Sequence, residues 1–368
     1  MSFLHDARAK VRSWLFDHAL PLWAERGADA DGRFYELLEF DGRPVTGGVR
    51  RTRVQARQVY LFAEAADLGF EPGRAIARKG LDNMIRTCRR PDGLWVLSTD
   101  GNGAVLDDTP DLYDQAFCLF ALAAGHRLLG DDRCLPLALQ TLDAIETVMA
   151  APHGGWAEAA PARLPRRQNP HMHLLEAMLA WHAATPEPRF EQIAREILGL
   201  FDTAFFHEPT GTLSEFFTED WRLADGQAGE IVEPGHEFEW VWLLSEARKN
   251  GWIDAEARAM RLYDHAGTAG LNAEGFPVRE MARGGGPVDP GWRLWAETEA
   301  LRAHLTVGDE ARAAAMVDRI FDSHLATDVP GLWVDSYDAA GIQIDTTVPA
   351  SSFYHVMTAF TVLLRGAE

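Results

Sequence analysis

Six times along this 368-residue chain a glycine is followed within two residues by an aromatic ring or a leucine, and the copies fall 56 to 64 residues apart. They are Gly32-Arg33-Phe34, Gly93-Leu94-Trp95, Gly155-Trp156, Gly211-Thr212-Leu213, Gly275-Phe276 and Gly331-Leu332-Trp333. A period near sixty is too long for a small solenoid unit and has room for two helices and a loop. Six such units give twelve helices, enough to close into a ring. One end of that ring, where loops and helix termini converge, is where function is expected. The expected fold class is all-α, a toroid of twelve helices with short β-hairpins at one end.

Apolar periodicity places the helices near 3–26, 50–68, 73–90, 110–129, 132–150, 169–184, 187–206, 235–250, 252–270, 292–306, 309–326 and 350–365. Gly69, Gly130 and Gly251 follow helices as C-terminal caps, and Pro110 and Pro349 stand near helix starts. Short strands flank the turns at Asp41-Gly42 and Asp100-Gly101, over 33–40 and 94–99. The repeat runs unbroken, so 1–368 is expected to be one catalytic domain, and the Gly284-Gly285-Gly286-Pro287 loop lies inside a repeat.

With 47% apolar residues the chain can bury a large core. A net charge of −20 argues against a nucleic-acid or anionic-membrane partner. Cys88, Cys118 and Cys134 are odd in number and show no paired spacing, which suits a reducing compartment. Residues 1–23 read as a helix rather than a signal peptide, and no apolar run reaches the roughly 18 residues of a membrane span. A cytoplasmic protein is expected; the sequence is silent on oligomeric state.

The even-numbered helices mix polar with large apolar residues, as an inner ring around a cavity would. Arg57, Gln115, His173, His236, Glu297 and His355 recur at steps of 58 to 63 residues and are expected to point toward one end. The inner helices begin there, and their N-termini favour an anion or a developing oxyanion. Three motifs carry the chemistry. In Gly235-His236-Glu237-Phe238-Glu239-Trp240, His236 and Glu239 share a helix face. In Asn169-Pro170-His171-Met172-His173, Asn169 is read as an N-cap, and His173 and Glu176 repeat the same spacing. Ala350-Ser351-Ser352-Phe353-Tyr354-His355 opens the last helix, with a Ser as cap and His355 as general base.

Two His-x-x-Glu pairs also admit a metal reading, but di-metal bundles use Glu-x-x-His with further carboxylates, so no metal or cofactor is expected. Arg50, Arg53 and Arg57 line one helix face, with Arg57 as the anion stabiliser. Asp107, Asp108, Asp111 and Asp114 are read as caps and loop acids rather than as a glycosidase pair. Trp240, Trp295 and Trp333 are placed near the pocket end, where an indole can stack on a sugar.

These segments resemble the N-acylglucosamine 2-epimerase superfamily. The resemblance rests on Val54-Gln55-Ala56-Arg57-Gln58, Asn169-x-x-Met172-His173-x-x-Glu176-Ala177, Pro234-Gly235-His236-x-x-Glu239-Trp240, Trp295-x-x-x-Glu299-Ala300 and Tyr354-His355. It implies an (α/α)6 barrel and a metal-independent sugar isomerase or epimerase. It implies Arg57 as a substrate-binding arginine and His236 and His355 as acid/base histidines. His173 and Glu239 become pocket residues that assist ring opening, while Asn169, Glu176, Trp240, Trp295 and Glu299 complete the binding set. Phe238-Glu239-Trp240 resembles the mannose-isomerase branch; Val-Gln-Ala-Arg-Gln resembles the N-acyl-hexosamine epimerases.

The chemistry suits these residues. Opening an aldose leaves the C2 proton acidic beside a carbonyl, and a neutral histidine can remove it. Return of the proton to C1 gives a ketose and needs one base; return to the opposite face of C2 gives the epimer and needs two. Isomerisation of D-mannose and D-fructose with His355 as base is the leading expectation. A 2-epimerase of a free or N-acylated hexose, a carbohydrate-binding ring without turnover and a glycoside hydrolase are the alternatives. The expected partner is a monosaccharide.

Overall fold

A computed structural model describes residues 4–366. They form twelve helices in two concentric rings, the (α/α)6 barrel. The outer helices are α1 (Leu4–Ser13, widening into π-helical turns at Trp14–Ala19 and resuming over Leu20–Arg26), α3 (Pro72–Cys88), α5 (Cys134–Val148), α7 (Pro188–Leu200), α9 (Glu256–Ala266) and α11 (Glu310–Asp322). The inner helices are α2 (Thr52–Asp67), α4 (Leu112–Leu129), α6 (Gln168–Ala184), α8 (Pro234–Lys249), α10 (Leu294–Val307) and α12 (Phe353–Arg365). Each inner helix packs on the next, and α12 packs back on α2. Inner helices are buried almost all round, whereas outer ones bury a single stripe, Ala313, Met316, Val317 and Ile320 in α11 for instance. Among the described residues no helix is long and apolar enough to cross a membrane.

All six repeat glycines adopt positive φ, between 61° and 97°. Only glycine takes that conformation without strain, so each fixes the same tight turn. At Gly331 a side chain would also strike the α1 backbone, 2.8 Å from the carbonyl carbon of His18. The turn drives the following ring inward, and Phe34, Trp95, Trp156, Leu213 and Trp333 are buried between inner and outer helices. Polar residues on the inner helices then hold the turn backbone. Gln55 accepts from the Phe34 N–H and donates to its carbonyl, both at 2.9 Å, and Gln115 does the same for Trp95. His171, pushed down to about 3 by burial, accepts from Trp156 N–H. Glu237 accepts from Leu213 N–H.

The hairpins also form a belt. The residues before each inner helix pair antiparallel with the hairpin of the following unit: Arg50–Arg51 with Ser98–Thr99, Asp111 with Ala159, Arg166–Arg167 with Phe216–Phe217, Ile231–Val232 with Glu280–Ala282, and Trp292–Arg293 with Ser336–Tyr337. Val348–Pro349 then pairs with Leu37–Leu38 and closes the belt.

Three local expectations are corrected. Asn169 does not cap α6, because the extended residue before the helix is Arg167 and Asn169 lies inside the first turn. Arg50–Arg51 form a strand and α2 starts at Thr52, so the helix begins two residues later than the apolar pattern suggests. The last helix begins at Phe353 after a 3-10 turn at Ala350–Ser352.

Candidate active site

At the end where the inner helices begin lies a cavity of about 530 Å3, lined by Arg57, Tyr113, Asn169, His173, Glu233, His236, Glu239, Arg293, Trp295, Ser351, Ser352 and His355. Every one of them comes from the first turns of an inner helix or the residues just before it. That placement follows from the turn clamps. A residue two positions after a clamp lies about 200° round the helix, so it faces the axis when the clamp faces outward. Arg57, His173 and Glu239 stand two after Gln55, His171 and Glu237, and all three line the cavity. Gln115 and Glu297, expected among the inward residues, instead sit at the clamp position: Gln115 on Trp95, Glu297 on His324 at 2.7 Å.

His355 donates from Nδ1 to Glu299 Oε1 at 2.8 Å, leaving Nε2 for the cavity. Burial, then Arg57 and His173, hold its pKa well below the usual histidine range, so the ring is neutral. His173 is also held low by burial, with Nδ1 3.3 Å from Glu176 and 3.7 Å from Glu239. His236 is the opposite case. Burial works against its charge, but Glu215 at 3.1 Å and Glu233 at 3.5 Å outweigh it and push the pKa up to about 10. It is an imidazolium at neutral pH. Its Nε2 faces the Asn169 amide at 2.9 Å, and an imidazolium needs an acceptor there. Turning the amide supplies Oδ1, which otherwise has no partner.

Glu239 is fully buried, and neither carboxylate oxygen has a hydrogen-bond partner in the protein. Burial, with Glu299 and Glu176 nearby, holds its pKa well above the carboxylate range, so it is a neutral acid facing the cavity. A buried carboxyl without partners costs about 1–3 kcal/mol, which a bound hydroxyl would recover. Arg57 stacks on Phe117 at 4.1 Å and donates to Tyr113 Oη at 2.6 Å and to the Ser351 carbonyl. Trp295 spans the cavity between the two acid/base candidates, its ring 5.0 Å from His236 and 5.7 Å from His355.

The remaining predicted residues lie elsewhere. Glu176 and Glu299 sit beneath the cavity rather than on its wall, behind His173 and His355. Trp240 does not line it at all: one position beyond Glu239, its ring turns toward the outer helices, 4.7 Å from Phe201, with its N–H on Gln168. Trp333 stacks on Trp23 in the wall. Arg53 pairs with Asp114, and Asp111 caps α4 through Tyr113 N–H. Glu215, Glu233, Tyr113 and Arg293 were not foreseen. Glu215 did carry a signal, because Glu36, Glu215 and Asp335 each fall four residues after a repeat glycine. Glu36 holds Arg51 and Asp335 holds Arg293, whereas Glu215 holds a histidine.

Three groups could in principle hold a metal ion: His173, Glu176 and Glu239; Glu215, Glu233 and His236; and Glu239, Glu299 and His355. The first and third already have a cation between them. The Arg302 guanidinium reaches Glu176 at 3.2 Å and Glu299 at 3.3 Å. In the second group the charged His236 ring fills that role. The donor sets therefore fit an internal cation better than a metal.

The paired His236 makes a stability prediction. Its folded pKa of about 10 lies above the ordinary 6.5, so its contribution is complete below pH 6.5 and lost as pH rises through 10. Glu233, raised to about 7 by burial, acts over a lower window. The melting temperature is expected to fall by several degrees between pH 7 and 10, and Glu215→Gln to flatten that slope. An equal slope in both proteins, read by differential scanning fluorimetry, would contradict the pairing.

The sequence profile of the N-acylglucosamine 2-epimerase (GlcNAc 2-epimerase) family matches residues 32–359. A mannose-6-phosphate isomerase of Rhizobium meliloti is 36% identical, over 97% of this chain and 96% of its own length. A D-mannose isomerase of Thermobifida fusca is 29% identical, over 83% of this chain and 80% of its own. The crystal structure of a cellobiose 2-epimerase from Spirochaeta thermophila superposes with a TM-score of 0.87 at 24% identity, covering 98% of this chain and 96% of that one, which shows the shared fold.

Proposed function

Because the chain belongs to the N-acylglucosamine 2-epimerase family and is a sugar isomerase or epimerase, we propose that it interconverts a free aldose and its ketose, D-mannose and D-fructose, by proton transfer between C2 and C1. One observation carries this reading: the two cavity histidines of the acid/base pair are in opposite charge states. His355 is neutral and presents Nε2 as a base, while His236 is held as a cation by two carboxylates. A two-base epimerase would also pair one acceptor with one protonated donor, on opposite faces of C2. Isomerisation is favoured because the cation at His236 is assigned to the ring oxygen, which leaves His355 as the one base for C2 and C1, and because two relatives are named for mannose isomerisation.

The steps follow from the placement. His236 turns its Nε2–H from the Asn169 amide to the ring oxygen and protonates it as the pyranose opens, while the neutral His173 takes the proton from O1. His355 Nε2 takes the C2 proton, the C2–H electrons form the C1–C2 double bond, and negative charge moves onto O1. Arg57 and the positive ends of the inner helices face that charge. Glu239, a neutral acid, gives its proton to O1 and takes one from O2, and His355 returns its proton to C1. The two relatives named for mannose chemistry support the sugar. A free rather than phosphorylated hexose is favoured because Arg57 is engaged by Tyr113 and Ser351, Arg293 by Asp335, and Glu233 and Glu239 also line the cavity.

The test is EDTA-treated protein with D-mannose in D2O, followed by NMR. The expected product is fructose carrying deuterium at C1. Glucose labelled at C2 without ketose would replace the reading with a 2-epimerase, for which the protonated His236 would deliver the proton to the opposite face of C2. Conversion only of mannose 6-phosphate or of an N-acylmannosamine would move the substrate, and loss of activity in EDTA would overturn the metal-free chemistry.

A further inference from the structure

Beneath the active cavity, sealed from it, a layer of charged side chains crosses the barrel. On its far side lies a second, larger cavity of about 1150 Å3 at the other end of the ring, lined among others by Tyr60, Glu64, Arg127, Glu176, Trp242 and Arg302. Arg302 is the hub of the layer. It is 3% exposed, its guanidinium lies 3.4 Å from the Trp242 ring, and it donates from Nη1 to Glu299 Oε2 and from Nη2 to Glu176 Oε1. Glu176 also accepts from Tyr354 Oη and from His173, and Glu299 from His355 Nδ1. Arg302 does not line the active cavity.

We propose that Arg302 is a positioning residue that fixes the tautomer of His355 by keeping Glu299 ionised. The inference rests on His355 being the base. For Nε2 to accept the C2 proton, the ring proton must stay on Nδ1, and that requires a carboxylate at Glu299 to receive it. Glu299 is an unfavourable place for a charge. It is wholly buried, and it faces Glu176 and His173 from α6, Glu239 from α8 and His355 from α12, with Arg302 on its own helix. Burial and Glu176 raise its pKa, Arg302 opposes them, and the balance falls at about 7. Burial alone would also raise Glu176, but bonds from His173, Arg302 and Tyr354 overrule it and bring it down to about 2. One cation thus serves two buried carboxylates. With Arg302 in place Glu299 is therefore ionised above about pH 7; without it Glu299 keeps its proton well above neutral pH and can donate to Nδ1, so the ring proton moves to Nε2 and the base is lost.

Arg302→Ala is expected to lower kcat about 100-fold at pH 7 with little change in KM, because the effect passes through a residue behind the base. The acid limb of the kcat profile should move to higher pH, where Glu299 ionises unaided. Arg302 opens onto the second cavity, so added guanidinium ion should restore part of the rate in the alanine variant. Arg302→Lys, which keeps the charge but loses the two-armed fork, should retain intermediate activity and serves if the alanine variant does not fold. The direct readout is 15N NMR of histidine-labelled protein, with the His355 signals assigned by their loss in His355→Gln. At pH 8, above the Glu299 pKa of about 7, the wild type should carry its proton on Nδ1, and Arg302→Ala on Nε2. An unchanged tautomer and acid limb in the variant would overturn the proposal, whatever the rate. Full activity in His355→Gln would overturn instead the reading on which it rests, and the tautomer measurement, independent of turnover, separates the two failures.

Discussion

Replacing His355 by Gln is expected to leave a folded protein that has lost about 10³- to 10⁴-fold in kcat, with no deuterium exchanged at C1 or C2 of mannose. The side chain sits at the start of α12 with its ring against the cavity, and glutamine keeps a polar group that can still meet Glu299. Packing is disturbed little, whereas the only base proposed for the C2 proton is gone. The same variant should still accelerate anomer exchange of mannose, since His236 and Glu239 remain. NMR exchange spectroscopy between the α and β anomers measures that step separately. Residual isomerisation above about one-tenth of wild type would remove His355 from the role.

His236→Gln is expected to lose about 10²- to 10³-fold in kcat and, unlike the first variant, to lose enzyme-catalysed anomer exchange as well. The physical reason is charge. His236 is held as a cation by Glu215 and Glu233, and a neutral amide there leaves two carboxylates beside each other with nothing to balance them. Glu233, already shifted up to about 7, would protonate and relieve the repulsion, so the variant should fold. Normal anomer exchange in this variant would assign ring opening to another group, with His173 and Glu239 next to examine.

The period of the glycine turns was legible because it reports a backbone constraint. Positive φ selects glycine, and the buried ring after it selects an aromatic or leucine, so both leave marks in one-letter code. The inward residues were legible in part, and the slip at Gln115 and Glu297 has a plain origin. Clamp and cavity positions lie two residues apart on the same helix, and both favour polar side chains, so a phase count cannot separate them without the turns they hold. Trp240 was drawn into the pocket by its neighbour Glu239, although one residue turns a helix by about 100°. Glu215 and Glu233 were missed because they stand outside the inner helices, on a hairpin and just before a helix. Their effect on His236 depends on a fold that brings residues 215 and 236 together. No spacing rule reports that His236 is charged and His355 neutral, since that difference arises from burial and neighbours.

The pairing of Leu37–Leu38 with Val348–Pro349 has a consequence for how the protein comes into being on the ribosome. The first unit emerges with a strand edge and an inner-helix flank whose partners are synthesised far later in the chain. Arg57 is made early, yet the tyrosine and histidine that pack beside it at 354 and 355 arrive some three hundred residues later. No nascent chain short of α12 holds a complete catalytic set, and until then apolar faces of α2 and α1 stand open to solvent. Such a chain needs protection from self-association during translation. Once closed, it has no topological beginning, so a circularly permuted gene that joins the old termini and opens the ring at an exposed loop should yield the same enzyme.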